Sequence, residues 1–103
     1  MNFILVYITA KDKEQALSIG KTLVEERLCA CVNILDSMTS IYQWEGEITT
    51  DNEAVLIAKT ITEKFDALQN RVKELHTYTC PCIVSIPISD GSAQYLHWLK
   101  SSL

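Results

Sequence analysis

The sequence predicts an α+β fold in the order β-α-β-β-α-β, closed by a C-terminal helix. Three observations carry that expectation. Apolar residues run almost unbroken at Ile4-Leu5-Val6 and at Ala54-Val55-Leu56-Ile57-Ala58, as in strands inside a sheet. Two other stretches place apolar residues at helical spacing, Ala16, Ile19, Gly20, Leu23 and Val24, then Phe65, Leu68, Val72 and Leu75. Between them Glu45-Gly46 separates two strand-like stretches, and glycine supplies the positive φ that many hairpin turns need. Two split β-α-β units around a long central hairpin make a ferredoxin-like βαββαβ sandwich, with helices on one face of a mostly antiparallel sheet.

Each element has a local reason. Ile4 to Ile8 reads as a central strand covered on both faces. Asp12 offers an N-cap with Gln15 in the capping-box position, so a helix is expected over 13–27. Leu28 to Leu35 reads as the second strand and Thr39 to Trp44 as its continuation after a break at Asp36-Ser37. Ile48 and then Glu53 to Thr60 form the return strand. Thr62 is the expected cap of the second helix, and Ile83 to Ile88 a strand that Pro87 demotes toward the sheet edge. Asp90-Gly91-Ser92 opens a short last helix carrying Tyr95, Leu96, Trp98 and Leu99.

The 103 residues suffice for one domain, 1–103, and no linker, repeat or low-complexity tract divides them. So small a domain buries a limited share of its surface, which makes oligomerisation a natural source of stability. Net charge is -4 with lysines and arginines scattered, against the positive footprint a nucleic-acid module needs. No stretch reaches the ~18 to 20 apolar residues that span a bilayer. The apolar N-terminus lacks a positive leader and a small-residue cleavage site, so it reads as a strand and the chain as cytoplasmic.

Four cysteines stand as two Cys-x-Cys pairs, at 29 and 31 and at 80 and 82, expected as free thiols in a reducing compartment. Cys29 and Cys31 share one face of a strand, where a metal could bridge them or both could serve as small buried hydrophobes. The segment His76-Thr77-Tyr78-Thr79-Cys80-Pro81-Cys82 gathers imidazole and thiol donors that soft and borderline metals favour. His76, Cys80 and Cys82 are therefore the candidate metal ligands, although a histidine that closes a helix, as His76 does here, is more often a cap than a ligand. His97 has no cysteine or histidine at helical spacing and reads as surface or packing. Tyr42 and Trp44 share a face of the hairpin and suit subunit contact or pocket lining. No nucleophile-base pair, phosphate loop or His-Glu-x-x-His is present, so no catalytic reaction is expected.

Simple tests exclude two ferredoxin-like alternatives. A copper chaperone carries Cys-x-x-Cys where the first strand meets the first helix, and here that site reads Thr9-Ala10-Lys11-Asp12. An RNA-recognition domain shows aromatic and basic residues on its central strands, where this chain has Val55, Leu56 and Ile57.

Pieces along nearly the whole chain resemble the CutA family of divalent-cation tolerance proteins. They include Leu23-Val24-Glu25-Glu26-Arg27-Leu28, Ala30-Cys31-Val32-Asn33-Ile34, Thr39-Ser40-Ile41-Tyr42-Gln43-Trp44-Glu45-Gly46, Lys59-Thr60, His76-Thr77-Tyr78, Ile86-Pro87-Ile88 and Tyr95-Leu96-His97-Trp98-Leu99. The resemblance implies a tight homotrimer whose hairpins embrace neighbours, and a link to copper or related divalent ions with no organic cofactor. It departs in places. The family usually reads His-Pro-Tyr-x-x-Pro-Glu, and here Thr77 replaces the first proline and Cys82 the glutamate. Copper-binding members can carry a cysteine where Ile8 stands and a second histidine where Leu75 stands, so of that set His76 alone remains. The alternative resemblance is to trimeric PII-like regulators, which sense small molecules or partner proteins between subunits. The residues expected to line such an inter-subunit pocket are Tyr42, Trp44, Glu45, Lys59 and Tyr78.

Overall fold

The computed structural model describes residues 2–103, so Met1 at the start of the expected first strand lies outside the described residues. The elements are β1 (Phe3–Ala10), α1 (Lys13–Glu25), β2 (Cys31–Trp44), β3 (Glu47–Ile61), a 3-10 turn (Thr62–Lys64), α2 (Phe65–Leu75), β4 (Ile83–Pro87) and α3 (Ala93–Ser101). The sheet runs β2-β3-β1-β4 with every neighbouring pair antiparallel. The expected α+β, ferredoxin-like order is borne out.

The register explains where the core lies. Ile4, Val6, Ile8 and Ala10 stand opposite Thr60, Ala58, Leu56 and Ala54, and directly opposed side chains share a face. Nearly all of these are fully buried, and they meet Ala16, Ile19 and Leu23 of α1 with Leu68 and Val72 of α2. At Gly20 the helix comes so close to β2 that an added Cβ would lie 3.3 Å from Val32 Cγ1. The other face of β1 (Phe3, Leu5, Tyr7) is half-buried rather than fully covered as expected. At one end of that second face α3 packs, burying Leu99.

Local differences from the sequence expectation have clear causes. Helix α1 stops at Glu25, two residues early, because Arg27 adopts φ 58. The Arg27 amide donates to Val24 O and the Leu28 amide to Leu23 O, a Schellman closure that satisfies the last carbonyls. Asp12 caps α1 as expected, Oδ1 accepting from the Gln15 amide at 2.8 Å. The Gln15 side chain, however, accepts from the Lys11 amide rather than from Asp12. Thr62 does not cap a helix: its hydroxyl donates to Asn2 O, and a 3-10 turn precedes α2.

The break expected at Asp36-Ser37 is a β-bulge inside one long strand. Leu35 pairs with Val55 and Met38 with Glu53, so β2 carries one extra residue there, with Ser37 at φ 60. That residue moves the alternation by one. Tyr42 and Trp44 consequently share a face with Leu35 and with Asp51, Glu53 and Val55 of β3, away from α1 and α2. At the tip, Glu45 (φ 51) and Gly46 (φ 84) both take left-handed conformations, as a two-residue type I′ turn requires.

Candidate functional site

A cleft of about 360 Å³ opens between the hairpin stem and the loop that joins α2 to β4. Thr9 of β1, Tyr42 and Trp44 of β2, and Asp51 and Glu53 of β3 line one side. Tyr78, Thr79, Cys80 and Cys82 of the loop line the other. The bulge in β2 is what brings the aromatics and carboxylates of the hairpin onto this one surface.

The loop is fixed by a run of hydrogen bonds. His76 ends α2 in an extended conformation (φ -84, ψ 147), its amide donating to Val72 O at 2.8 Å. Its ring is buried. Nε2 donates to the Thr9 carbonyl at 2.7 Å, and Nδ1 accepts from the Tyr78 amide at 3.1 Å. A carbonyl can only accept and an amide N–H can only donate, so the bonds require the Nε2–H tautomer. The Tyr78 ring lies 4.5 Å from the imidazole, and its hydroxyl donates to Glu53 Oε2 at 2.9 Å. At the loop's far end the Thr9 amide donates to Cys82 O at 3.4 Å. Thr77, the residue that departs from the family pattern, accepts from Gln15 Nε2 at 2.8 Å and ties the loop to α1.

Charge and burial set the protonation of the cleft. Burial, reinforced by the bond to Glu53, raises the Tyr78 hydroxyl well above its ordinary range. Tyr42 donates to Asp51 Oδ2 at 2.7 Å, and that bond first, then burial, raises its hydroxyl too. Burial and then the neighbouring Glu53 push the Cys82 thiol up, so it holds its proton more firmly than a free thiol does. Among the described residues no lysine or arginine lines the cleft.

The expected metal ligands separate. Cys80 and Cys82 are exposed and face the cleft, whereas both nitrogens of His76 are engaged with the backbone behind it. Among the described residues no three His, Cys, Asp or Glu side chains converge in the manner of a metal centre. Cys29 is buried and its thiol is pushed up to about 12, by burial first and by Cys31 second.

Of the expected pocket residues, Tyr42, Trp44 and Tyr78 come together in this cleft. Glu45 belongs to the hairpin turn instead. Lys59 lies toward the other end of the sheet, where Nζ donates to the Tyr95 hydroxyl at 3.2 Å and sits 5.3 Å from its ring centre. That hydroxyl holds the lysine charged, above its ordinary range. Thr9, Asp51 and Glu53 were missing from the sequence reading. The signal that finds the two carboxylates is the face alternation of β3 counted together with the one-residue bulge in β2.

The comparisons with known proteins agree with this architecture. A family model described as CutA1 divalent ion tolerance protein matches residues 4–102. The divalent-cation tolerance protein CutA of Thermus thermophilus is 51% identical over 98 residues, covering 95% of each chain. Protein CutA 1, chloroplastic, of rice is 42% identical over 99 residues, 96% of this chain but 56% of the rice protein, so the chain spans about half of that relative. Among solved structures, the Thermus thermophilus divalent cation tolerance protein superposes with a TM-score of 0.95 at 50% identity, covering 97% of both chains. Rice CutA1 gives 0.97 at 41% identity, covering 99% of this chain and 94% of the rice one. The chain belongs to the CutA1 divalent ion tolerance family.

Proposed function

We propose that the protein acts in divalent-cation tolerance as a cytoplasmic homotrimer that binds copper or a related divalent ion, and that it catalyses no reaction. The observation that carries the metal reading is that two thiols, Cys80 and Cys82, and two carboxylates, Asp51 and Glu53, line one cleft, where an ion would have to draw them together, since they do not converge as they stand. Thiolates suit copper and zinc, and a carboxylate can complete such a set. His76 enters as the group that positions the loop, and becomes a ligand only if the loop opens to release one of its nitrogens. Binding is conditional, because the Cys82 thiol must give up a firmly held proton to coordinate. The relatives' names, which speak of divalent-cation tolerance, support the same reading.

The trimer reading is supported by what the single chain leaves open. β2 and β4 are the sheet's edges, and Val84 and Ile86 on β4 are exposed. Ile41 and Ile48 on the protruding hairpin are 71% and 70% exposed. Long edges and apolar side chains of this kind ask for a partner.

Anaerobic titration of copper and zinc into wild type, a Cys80→Ser/Cys82→Ser double variant and His76→Ala tests the metal site. The double variant is expected to lose most of the binding. Unchanged binding there removes the thiols from the site, and unchanged binding in His76→Ala removes the imidazole.

A further inference from the structure

Cys80 and Cys82 carry exposed thiols on the loop between α2 and β4, separated only by Pro81. Both line the same cleft, so the two thiols are turned to one side of the loop. Cys80 is also near enough to contribute, after burial and Glu53, to raising the Cys82 thiol. The spacing of their α-carbons is set by Pro81 alone, whose ring holds φ at about -65°. A helical step there puts them about 5.4 Å apart, and a polyproline step about 6.6 Å. Both values lie within the range of about 4.4–6.8 Å over which a disulfide closes. The other thiols stand elsewhere: Cys29 is in the core, and Cys31 Sγ lies 3.6 Å from the Tyr95 hydroxyl. The loop can also adjust at the cysteine end. Its tie there, from the Thr9 amide to Cys82 O, is 3.4 Å long, against 2.7 Å at His76, and Pro81 has no amide hydrogen to lose.

We propose that Cys80 and Cys82 form a reversible disulfide within this loop, closed by small-molecule disulfides such as oxidised glutathione. One thiolate of the pair attacks the reagent R–S–S–R, forming a mixed disulfide and releasing one R–SH. The second thiol gives up its proton and attacks the first cysteine's sulfur, releasing the other R–SH. The two cysteines are oxidised by two electrons in all, and the reagent is reduced by the same two. The ring so closed spans one intervening residue, so it restricts the unfolded chain little and adds little stability. A bond of that kind belongs with the labile, more oxidising disulfides rather than the structural ones. The resting state is therefore the dithiol, and the bridge appears when disulfide reagent accumulates. Both residues belong to one loop of one chain, so the bond needs nothing from the hairpin or from a neighbouring subunit. The disulfide does not rest on the metal reading; where the thiolates do hold an ion, closing the bridge takes both away at once.

The test treats the full-length protein, in its native assembly and without metal, with oxidised glutathione. Acid quenching, alkylation of the remaining thiols and intact-mass measurement then report the product. Wild type is expected to become two hydrogens lighter and to lose two alkylatable thiols, with fragment masses placing the bridge between Cys80 and Cys82. Cys31→Ser should close the same bridge. Cys80→Ser and Cys82→Ser should close none and end with at most one attached glutathione, with unfolding midpoints confirming that each variant is folded. Excess reduced glutathione should return both wild-type thiols. A wild-type chain that keeps glutathione without closing overturns the proposal, as does a bridge to Cys29, to Cys31 or between chains. So do thiols that stay unreacted in the native assembly but react once the chain is denatured, and a bridge that persists in reduced glutathione.

Discussion

The buried His76 ring donates from Nε2 to the carbonyl of Thr9 at 2.7 Å, and through that contact the end of α2 is fastened to the central strand. The same Thr9 donates its amide to Cys82 O, so one residue of β1 holds both ends of the loop that closes the cleft. A residue whose type suggests a metal ligand is serving here as the frame on which possible ligands are mounted.

Replacing His76 should therefore cost stability. His76→Ala leaves the Thr9 carbonyl and the Tyr78 amide without partners, and each buried polar group left unpaired costs about 1–3 kcal/mol. The chain should lose at least about 1 kcal/mol in urea unfolding. A loss below about 0.5 kcal/mol, typical of an inert surface site, would show that the ring does not hold the loop.

Much of this frame was legible in the sequence, and what was missed has physical reasons. Strand order and the two long helices follow from apolar periodicity, which is a local signal. The role of His76 is not local: it depends on Thr9, 67 residues away, and residue type alone left both cap and ligand open. Lys59 was expected in an inter-subunit pocket through the resemblance to PII-like regulators, and it stands six residues beyond Glu53 on the same strand. Three steps of face alternation carry it toward Tyr95 at the other end of the sheet. Asp51 drew no reading from the sequence. Its place beside Tyr42 comes into view only when the extra residue at Asp36-Ser37 is counted as a bulge rather than a break.

Three of the described residues hold left-handed backbone conformations without the freedom of glycine: Ser37 inside the bulge, and Arg27 and Glu45 at turns. Arg27 ends α1 at φ 58 and Glu45 opens the hairpin turn at φ 51. For an ordinary L-residue that conformation costs about 1–2 kcal/mol. Arg27→Gly and Glu45→Asn should each raise the thermal midpoint, because glycine suits the position after a helix C-cap and Asn-Gly suits a type I′ turn. The bond from Lys64 Nζ reaches the Arg27 backbone carbonyl, so the first substitution keeps it. A lowered midpoint in Arg27→Gly would mean that its side chain contributes more than its backbone costs.

Assembly should respond to charge on the hairpin. Ile41 and Ile48 are apolar, largely exposed and carried on a stem that extends beyond the helices. Burying a side chain of this size contributes about 1.5–3 kcal/mol, which a trimer would gain three times over. The double variant Ile41→Lys/Ile48→Lys should shift the sedimenting species from trimer toward monomer. A wild-type chain that sediments as a monomer at micromolar concentration, or a double variant that stays trimeric, would separate these residues from assembly.

Alkaline pH should uncover the buried thiol of Cys29. In the folded chain its pKa is pushed from 9.0 up to about 12, by burial first and by Cys31 second. The unfolded thiol ionises near the lower value, so the contribution is intact below about pH 9. Above that, the unfolded state loses a proton that the folded state keeps. Stability therefore falls as pH rises, by at most about 1.4 kcal/mol per pH unit for one group, until the folded thiol ionises as well. Tyr78 adds a slope of the same sign above about pH 10, because burial and Glu53 also hold its hydroxyl protonated. Cys29→Ala separates the two: it lowers stability uniformly by the lost packing and removes the Cys29 share of the decline from about pH 9 upward, leaving the shares of Cys82 and Tyr78. The measurement is a series of urea midpoints from about pH 8 to 11 on both proteins. A wild-type midpoint that stays level to pH 10 would mean that the Cys29 thiol ionises no more reluctantly in the fold than out of it.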